Sequence, residues 1–432
     1  MPEFEPINSD ERELGAGPET ELPGVPGRRW PWQVGLVGLL LAAGVLVILQ
    51  RSPEPAADTD EPHPTPSVTT LAPPVRTPPP LPTVPSPTRL VEHPVTLNLP
   101  GDVTDFDVAP DGYAAVLATA CTTLSDCNSA LATSTDGARW VRRKLPRGIG
   151  HGPTVWSLGD GVLVVEQATD QPPDLRRWRS GDGGRTWREV SAEPAEPVPD
   201  ATGGTLIVTT EEYQPVCGGH RLAVLGRDGR MAPLRRPPEG IAPCYALAYP
   251  DPAGRLWVAG IEPSTRQAAI AVSYDGGFSW RTSLLHGSRL DAEFVWLSLA
   301  GTDLYATVFG PLHESPERFG VLAVFWYDFA TWDRIARYEG PSRELNGMIA
   351  CPRGMLLAVQ QQLKPFDREH QMVSYDRGRS WALADTRMVV STRPSASPYA
   401  DHAYYGWWYA PSGSQGVVRS TDCRTWHTLG VR

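Results

Sequence analysis

Short apolar segments alternate with turn residues along most of the chain beyond residue 95. The stretch 245–285 shows the pattern well, because a Pro-Asp-Pro-Ala-Gly turn, a polar loop and the phrase SYDGGFSW divide it into four apolar runs. Apolar runs of this length between turn residues predict β-strands. The predicted strands of this unit are residues 245–249, 255–261, 268–274 and 280–285.

The phrase SYDGGFSW recurs along the chain. Five copies are clear, two gaps between them are about twice as wide as the others, and a degenerate copy lies near the middle of each wide gap. The copies then begin roughly 46 to 53 residues apart, a period typical of propeller blades and stacked arrays. In chain order the seven copies are STDGARW at 134–140, SGDGGRTW at 180–187, GRDGRM at 226–231, SYDGGFSW at 273–280, WYDFATW at 326–332, SYDRGRSW at 374–381 and STDCRTW at 420–426.

Each copy has the residues of a turn between two strands. An Asp at the third position can accept hydrogen bonds from N–H groups just ahead of it, and Gly tolerates the left-handed backbone that such turns use. The closing Trp can cover the turn with its ring. A calcium loop would need several alternating carboxylates, and SYDGGFSW offers one, so we predict no metal. The predicted turn aspartates are Asp136, Asp182, Asp228, Asp275, Asp328, Asp376 and Asp422.

A second turn precedes each of these aspartates by 22 to 26 residues. Seven four-stranded units follow, and none of them can bury both of its faces alone. Stacked around an axis, such units form a propeller. We therefore predict an all-β fold, a seven-bladed β-propeller. The sequence does not show whether residues 95–99 close the ring as an added strand.

The phrase S-x-D-x-G-x-T-W resembles the Asp-box, or BNR repeat, of the sialidase-like propeller superfamily. The resemblance covers residues 100–432. That superfamily includes sialidases, other glycoside hydrolases, sorting receptors and photosystem assembly factors. The resemblance thus implies the fold and leaves the function open.

Catalytic residues of sialidases cannot be carried over to this chain. The first-blade motif [FY]-R-I-P of that family is missing, and the nearest string, DRIARY at 333–338, lies in the fifth unit. Seven units instead of the six of sialidases are a second difference. The sequence also contains no nucleophile elbow, P-loop or H-E-x-x-H motif. We predict no catalytic residue and no cofactor.

A membrane segment precedes the repeats. Residues 34–49 are sixteen apolar residues in a row, Arg28 and Arg29 precede them, and four acidic residues follow within 54–61. This length and charge asymmetry predict one helix with its N-terminus in the cytoplasm. A cleaved signal peptide is the alternative.

Composition divides the chain into parts. Residues 53–94 contain 14 prolines, which predicts a semi-rigid stalk of at most ~130 Å. The predicted segments are a disordered cytoplasmic tail at 1–29, a transmembrane helix at 30–51, a Pro-rich extracellular linker at 52–94 and the propeller at 95–432. The location expected is the plasma membrane, with the propeller outside the cell.

All six cysteines lie in the propeller region. Alternating strand direction places four of them on one face, two in a shared loop and two in neighbouring blades, and the other two on the opposite face. An even count that pairs by face favours disulfides in an oxidising compartment. The pairs are Cys121 with Cys127, Cys217 with Cys244, and Cys351 with Cys423.

Polar loops on one face provide the candidate ligand site. The insertions HESPER and KPFDREH follow second strands of adjacent blades, and we take Glu314, Arg318, Asp367 and Arg368 as candidate ligand-binding residues. The 49 acidic residues outnumber the 39 basic ones, which argues against nucleic acid as a partner. We expect a binding, receptor or assembly module for a protein or glycan ligand. The alternative is a sialidase-like glycoside hydrolase.

The aromatic run YYGWWY at 404–409 is interpreted as packing between blades. Alternation along a strand places Tyr405 and Trp407 on one face and Tyr404 on the other, so neighbouring blades can bury them.

Overall fold

The computed structural model describes residues 91–430 apart from internal gaps. The predicted tail, membrane helix and most of the predicted linker lie outside the described residues. No helix in the described part of the chain has the length and hydrophobicity needed to span a membrane. The gaps are residues 124–125, 151, 169–174, 211–216, 218, 288–291, 313–314, 329, 339–344, 361–369, 385–388, 392–402 and 410–414.

Seven sheets form the blades of a β-propeller, which confirms the predicted fold class. Consecutive strands of each sheet are antiparallel neighbours, and the first strands of blades 1 and 2 and of blades 4 to 7 contact those of the next blade in each series. Blades 1 to 4 comprise β2 (Asp102–Val108), β3 (Ala114–Cys121), β4 (Cys127–Ser134) and β5 (Val141–Arg143); β6 (Thr154–Ser157), β7 (Leu163–Ala168), β8 (Leu175–Ser180) and β9 (Arg188–Val190); β10 (Gly204–Thr210), β11 (His220–Gly226) and β12 (Met231–Pro233); and β13 (Ala242–Ala246), β14 (Leu256–Glu262), β15 (Gln267–Ser273) and β16 (Arg281–Leu284).

The remaining strands build blades 5 to 7, and β1 precedes blade 1 in the chain. They are β17 (Phe294–Ala300), β18 (Asp303–Leu312), β19 (Ser315–Tyr327) and β20 (Trp332–Arg337); β21 (Leu345–Ala350), β22 (Leu356–Gln360), β23 (His370–Ser374) and β24 (Ala382–Leu383), with a 3₁₀ turn at Pro352–Gly354; β25 (Val389–Ser391), β26 (Tyr404–Tyr409), β27 (Gln415–Ser420) and β28 (Thr425–Gly430); and β1 (Val91–Thr96).

The second strand of a blade is apolar on both faces because a neighbouring blade covers each face. In β14, every residue from Leu256 to Ile261 is buried, whereas the outer strand β16 is mostly exposed. The four predicted strands of this blade match the observed ones to within three residues at each end. In blade 7, Trp407 packs edge-on against Phe106 of blade 1, with ring centroids 5.3 Å apart. The aromatic run therefore serves blade packing where its side chains are described.

Each repeat turn connects the last two strands of its blade. In blade 4, the Asp275 carboxylate accepts hydrogen bonds from the Ser279 N–H (2.9 Å) and the Ser273 hydroxyl (2.8 Å). The Ser273 oxygen in turn accepts the Gly277 N–H at 2.7 Å. Hydrogen bonds from Ser279 and Ser273 lower the pKa of Asp275 to about 2. All seven turn aspartates accept backbone N–H groups of their own turn, so these carboxylates are occupied by the fold.

Blade 3 has three strands, which corrects the prediction of four strands in every blade. The chain before β10 does not take the innermost position; instead Val198 lies beside the outer strand, where its N–H donates to Pro233 (3.0 Å) and its carbonyl accepts from Arg235 (2.8 Å). Three prolines occur within 194–199. Because proline cannot donate to a ladder, such a segment is confined to a sheet edge.

The ring closes through β1, whose first four residues fall within the predicted linker at 52–94. Strand β1 pairs in parallel with β28, from Val91 opposite Thr425 to Thr96 opposite Gly430, as a fifth strand on the outer edge of blade 7. The chain then passes inward through the buried Leu97 to begin blade 1. The added strand thus joins the first blade to the last.

Three disulfides confirm the pairing by face. One closes the hairpin between β3 and β4, and a second joins the loop after β10 to β13. The third joins Cys351, beside the 3₁₀ turn of blade 6, to Cys423 in the last repeat turn. Cys423 has φ 58° where the first repeat turn has Gly137 at φ 66°, so this cysteine occupies the left-handed position of a shortened turn.

Candidate functional site

The side chains of the candidate ligand residues from the polar loops lie outside the part of the chain that the structure describes. Glu314, Asp367 and Arg368 lie outside the described residues. Arg318 belongs to β19, but its side chain is also outside them. A ligand site on these loops stays a prediction.

The central channel is narrow where blades 4 to 7 meet. Tyr245 of β13 stacks on Trp296 of β17 with ring centroids 5.0 Å apart. Together with Ile349 and Tyr404, these rings surround a cavity of about 20 Å³, which is room for about one water molecule. This part of the axis is filled by side chains.

Two buried carboxyls connect the first strands of blades 1 and 2. Asp105 accepts the Val155 N–H at 2.8 Å, and Asp107 accepts the Ser157 N–H at 2.7 Å. From the other side of blade 3, the Tyr249 hydroxyl donates to the Ser157 carbonyl. The two carboxyls join blade 1 to blade 2 and so serve the fold, whereas the Tyr249 contact joins blade 4 to blade 2 where blade 3 has no first strand. Sequence reasoning did not single out this pair, although the alternation in TDFDV was a signal for it.

Burial raises the pKa of Asp107 to about 8, and the nearby Asp105 adds to the effect. An unfolded Asp ionises near pH 4, so folding takes up a proton between about pH 4 and 8, and stability falls as the pH rises through this range. The free energy of unfolding of the wild type should therefore fall by up to about 1.4 kcal/mol per pH unit in this range. Asp107→Asn keeps an acceptor for Ser157 but does not ionise, so we expect it to lack this fall. Urea unfolding of both proteins at several pH values measures the difference. The control Asp102→Asn, at an exposed carboxyl, should keep the wild-type slope of the free energy of unfolding against pH. Equal slopes for all three proteins would contradict the expectation.

An open groove of about 600 Å³ lies on the outer side of blade 1. Its floor is formed by Asn128–Ala130 of β4, and its wall is formed by the end of β5 and the connection 144–149 that leads to blade 2. We call it the blade 1 groove. It is the candidate functional site that the described residues support best.

The groove exists because β5 is short. Its three residues pair with Leu131–Thr133, and no described strand pairs with the outer edge of β4 at Asn128–Ala130. Pro146 follows in the connection and has no N–H for a ladder. Further on, the Ser129 hydroxyl donates to the Gly150 carbonyl at 2.9 Å. The connection is thus anchored at its far end beside Ser129, and the groove lies between it and β4.

Positive charge lines the blade 1 groove. Residues 137–159 contain four arginines and one lysine without any acidic residue, in a chain of net charge −10. Arg142, Lys144 and Arg147 are exposed, and no ion pair holds them within the described part of the chain. Concave surfaces lined by one sign of charge concentrate ligands of the opposite sign. Sequence reasoning missed the groove, and the acid-free run was the signal that could have indicated it.

Comparisons with known proteins find similar structures but no similar sequence family. No protein-family model matches the chain, and no curated protein matches it. A puromycin hydrolase is 12% identical over 81% of this chain, with a TM-score of 0.46, and the chain spans 57% of that enzyme. None of these similarities bears on the activity of the chain. The propeller domain of the Trilobed protease from Pyrococcus furiosus is 9% identical over 77% of this chain and 95% of that domain, with a TM-score of 0.39. A Hadza microbial sialidase is 14% identical over 76% of this chain and 65% of that enzyme, with a TM-score of 0.31.

Proposed function

We propose that the chain is an exported binding module. A helix at 30–51 holds it in the plasma membrane with the N-terminus in the cytoplasm, the Pro-rich linker at 52–94 carries the propeller outside the cell, and the propeller binds an anionic ligand. The blade 1 groove is the observation that carries this proposal.

The composition of the groove supports binding. Its exposed polar side chains include the cations Arg142 and Lys144 and the amide of Asn128, and these groups can hold an anionic ligand by charge and hydrogen bonds. The half-buried Leu145 and Ile149 add apolar surface to the wall. An apolar wall with a few polar groups is the usual make-up of a ligand site.

The disulfides support the location. Three disulfides and no free cysteine occur in the described residues. Such cross-links persist outside the cytosol and are rare within it. They agree with the charge asymmetry around residues 34–49, which directs the propeller to the outer side of the membrane.

Intact cells that produce the full chain with a C-terminal epitope test the proposal. We expect them to bind fluorescein-labelled poly-glutamate more than cells lacking the chain, and we expect added protease to remove both the epitope and the extra binding. The variant Arg142→Glu with Lys144→Glu should reach the surface and bind at the background level. An epitope that stays protected until lysis would exclude the topology, and equal poly-glutamate binding by the variant would exclude the groove as the site.

A further inference from the structure

We infer that the disulfide between Cys121 and Cys127 is a redox-active group of the blade 1 groove, and that it exchanges with a small anionic thiol held there. The inference rests on the proposed function, because it requires the groove to hold an anionic ligand. It adds a covalent reaction to that site and names the class of the reacting molecule.

The three disulfides differ in their exposure. In the hairpin between β3 and β4, Cys121 is exposed and Cys127 is half-buried. Thiol–disulfide exchange requires the attacking sulfur to reach a sulfur of the bond. A dissolved thiol can therefore reach the hairpin disulfide while the propeller stays folded. The cysteines of the other two disulfides are all buried, namely Cys217, Cys244, Cys351 and Cys423.

The hairpin is held by other bonds besides its disulfide. Strands β3 and β4 pair from Ala114 opposite Ser134 to Cys121 opposite Cys127. Beyond the disulfide, the Thr122 N–H donates to the Asp126 carbonyl at 2.9 Å, and the Thr122 hydroxyl donates to the Asp126 carboxylate at 2.5 Å. The cysteines are 6 residues apart, and a short loop gains little stability from its cross-link. Reduction should thus leave two thiols opposite each other, where the bond can form again.

The groove brings positive charge to one end of this disulfide. Cys127 lines the groove together with Arg142, Arg143 and Lys144. These cations raise the local concentration of an anionic thiol. Nearby cations also favour the thiolate, which is the reactive form of a thiol. Cys127 is therefore the sulfur that a thiol held in the groove meets.

The reaction consists of two exchanges. A ligand thiolate attacks Sγ of Cys127, the bond to Cys121 breaks, and Cys121 leaves with the electron pair and takes up a proton. A second ligand thiolate attacks the ligand sulfur of this mixed disulfide and releases the Cys127 thiolate, which is protonated in turn. Two ligand thiols are oxidised to one disulfide, their protons end on the two cysteines, and the protein disulfide is reduced.

Timed reduction of the full-length protein in nonionic detergent tests the inference. The protein is treated with mercaptoethanesulfonate, which is anionic, or with mercaptoethanol, which is neutral. Iodoacetamide then blocks the thiols that have formed, and mass spectrometry of the peptides measures which cysteines have opened. We expect Cys121 and Cys127 to open at least about 10-fold faster than the four buried cysteines, because the thiol can reach them.

Charge selectivity separates a role of the groove from exposure alone. The rate with mercaptoethanesulfonate, divided by the rate with mercaptoethanol, should be at least about 5-fold higher for the wild type than for Arg142→Glu with Lys144→Glu. Dividing the rates removes any general effect of the substitutions on access. Arg188→Glu with Arg281→Glu makes the same charge change on exposed outer strands of blades 2 and 4 and should keep the wild-type ratio.

The outcomes distinguish this inference from the proposed function. It is overturned if the hairpin disulfide opens no faster than the other two, or if Arg142→Glu with Lys144→Glu keeps the wild-type rate ratio. A change in circular dichroism when Cys121 and Cys127 alone have opened would also overturn it, because the bond would then be structural. Poly-glutamate binding by the same proteins is measured in parallel. Retained binding that depends on the groove keeps the anion site without the exchange, whereas absent binding removes both proposals.

Discussion

Replacing both Cys351 and Cys423 with alanine is expected to lower the free energy of unfolding by about 4 kcal/mol. The disulfide joins residues 72 positions apart, and a cross-link that closes a long loop restricts the unfolded chain strongly. Alanine keeps the Cβ of Cys423, so the left-handed backbone at φ 58° is equally strained in both proteins. Urea unfolding at pH 7 measures the loss.

The short disulfide provides the control. Cys121 and Cys127 are 6 residues apart, and their replacement with alanine should lower the free energy of unfolding by about 2 kcal/mol on the same chain-entropy reasoning. A loss for this pair as large as that for the long loop would show that restriction of the unfolded chain is not the main effect.

Trp257→Ala is expected to destabilise the propeller by about 3–5 kcal/mol. The ring is fully buried between blades 4 and 5, where it packs edge-on against Tyr327 and Trp332. Its indole N–H donates to the Asp251 carboxylate at 2.9 Å, and Arg255 donates to the same oxygen at 2.7 Å. The substitution removes the ring and one of the two donors together. Thermal and urea unfolding should both report the loss.

Trp257→Phe separates the ring from its hydrogen bond. Phenylalanine keeps much of the packing but cannot donate to Asp251, so the expected loss is about 1–3 kcal/mol. Trp156→Phe, at a partly exposed indole in blade 2, should cost less. A Phe variant of Trp257 as unstable as the Ala variant would show that the hydrogen bond outweighs the packing.

The parts of the fold that depend on local sequence could be predicted. The repeat turns use residues within one phrase, as Ser273, Asp275 and Gly277 show, and their spacing fixed the number of blades. The disulfides followed from strand direction together with proximity, since Cys121 and Cys127 share a loop and Cys217 and Cys244 lie in neighbouring blades. Even the degenerate copies hold their turns, since Asp228 accepts the Arg230 N–H and Asp328 accepts the Thr331 N–H.

The parts that depend on distant pairing could not be predicted. Nothing in the local pattern shows that Val198 leaves the inner position, although three prolines around it gave a reason for an edge location. Tyr249 then reaches Ser157 two blades away, a contact that follows only from the missing strand. The pairing of β1 with β28 likewise joins residues more than 300 positions apart.

The groove could not be predicted from the sequence for a similar reason. It depends on the register between β4 and β5, which leaves Ala130 and Ser129 past the end of the shorter strand. Charge alone gave no location, because a basic run on a strand and its following loop is an ordinary solvated surface until a groove is known beside it. The candidates Glu314 and Asp367 came from loop length and polarity, and their test remains experimental.

The parallel pairing of β1 with β28 decides how the propeller responds to mechanical force. Six residue pairs align the two strands from Val91 to Thr96, and Val91 is the first residue of the ladder. Tension applied there, while a bound partner holds the blades, would shear all the hydrogen bonds of this ladder at once instead of opening them one after another. The closure that completes the ring is therefore also suited to resist a pull on the chain at Val91.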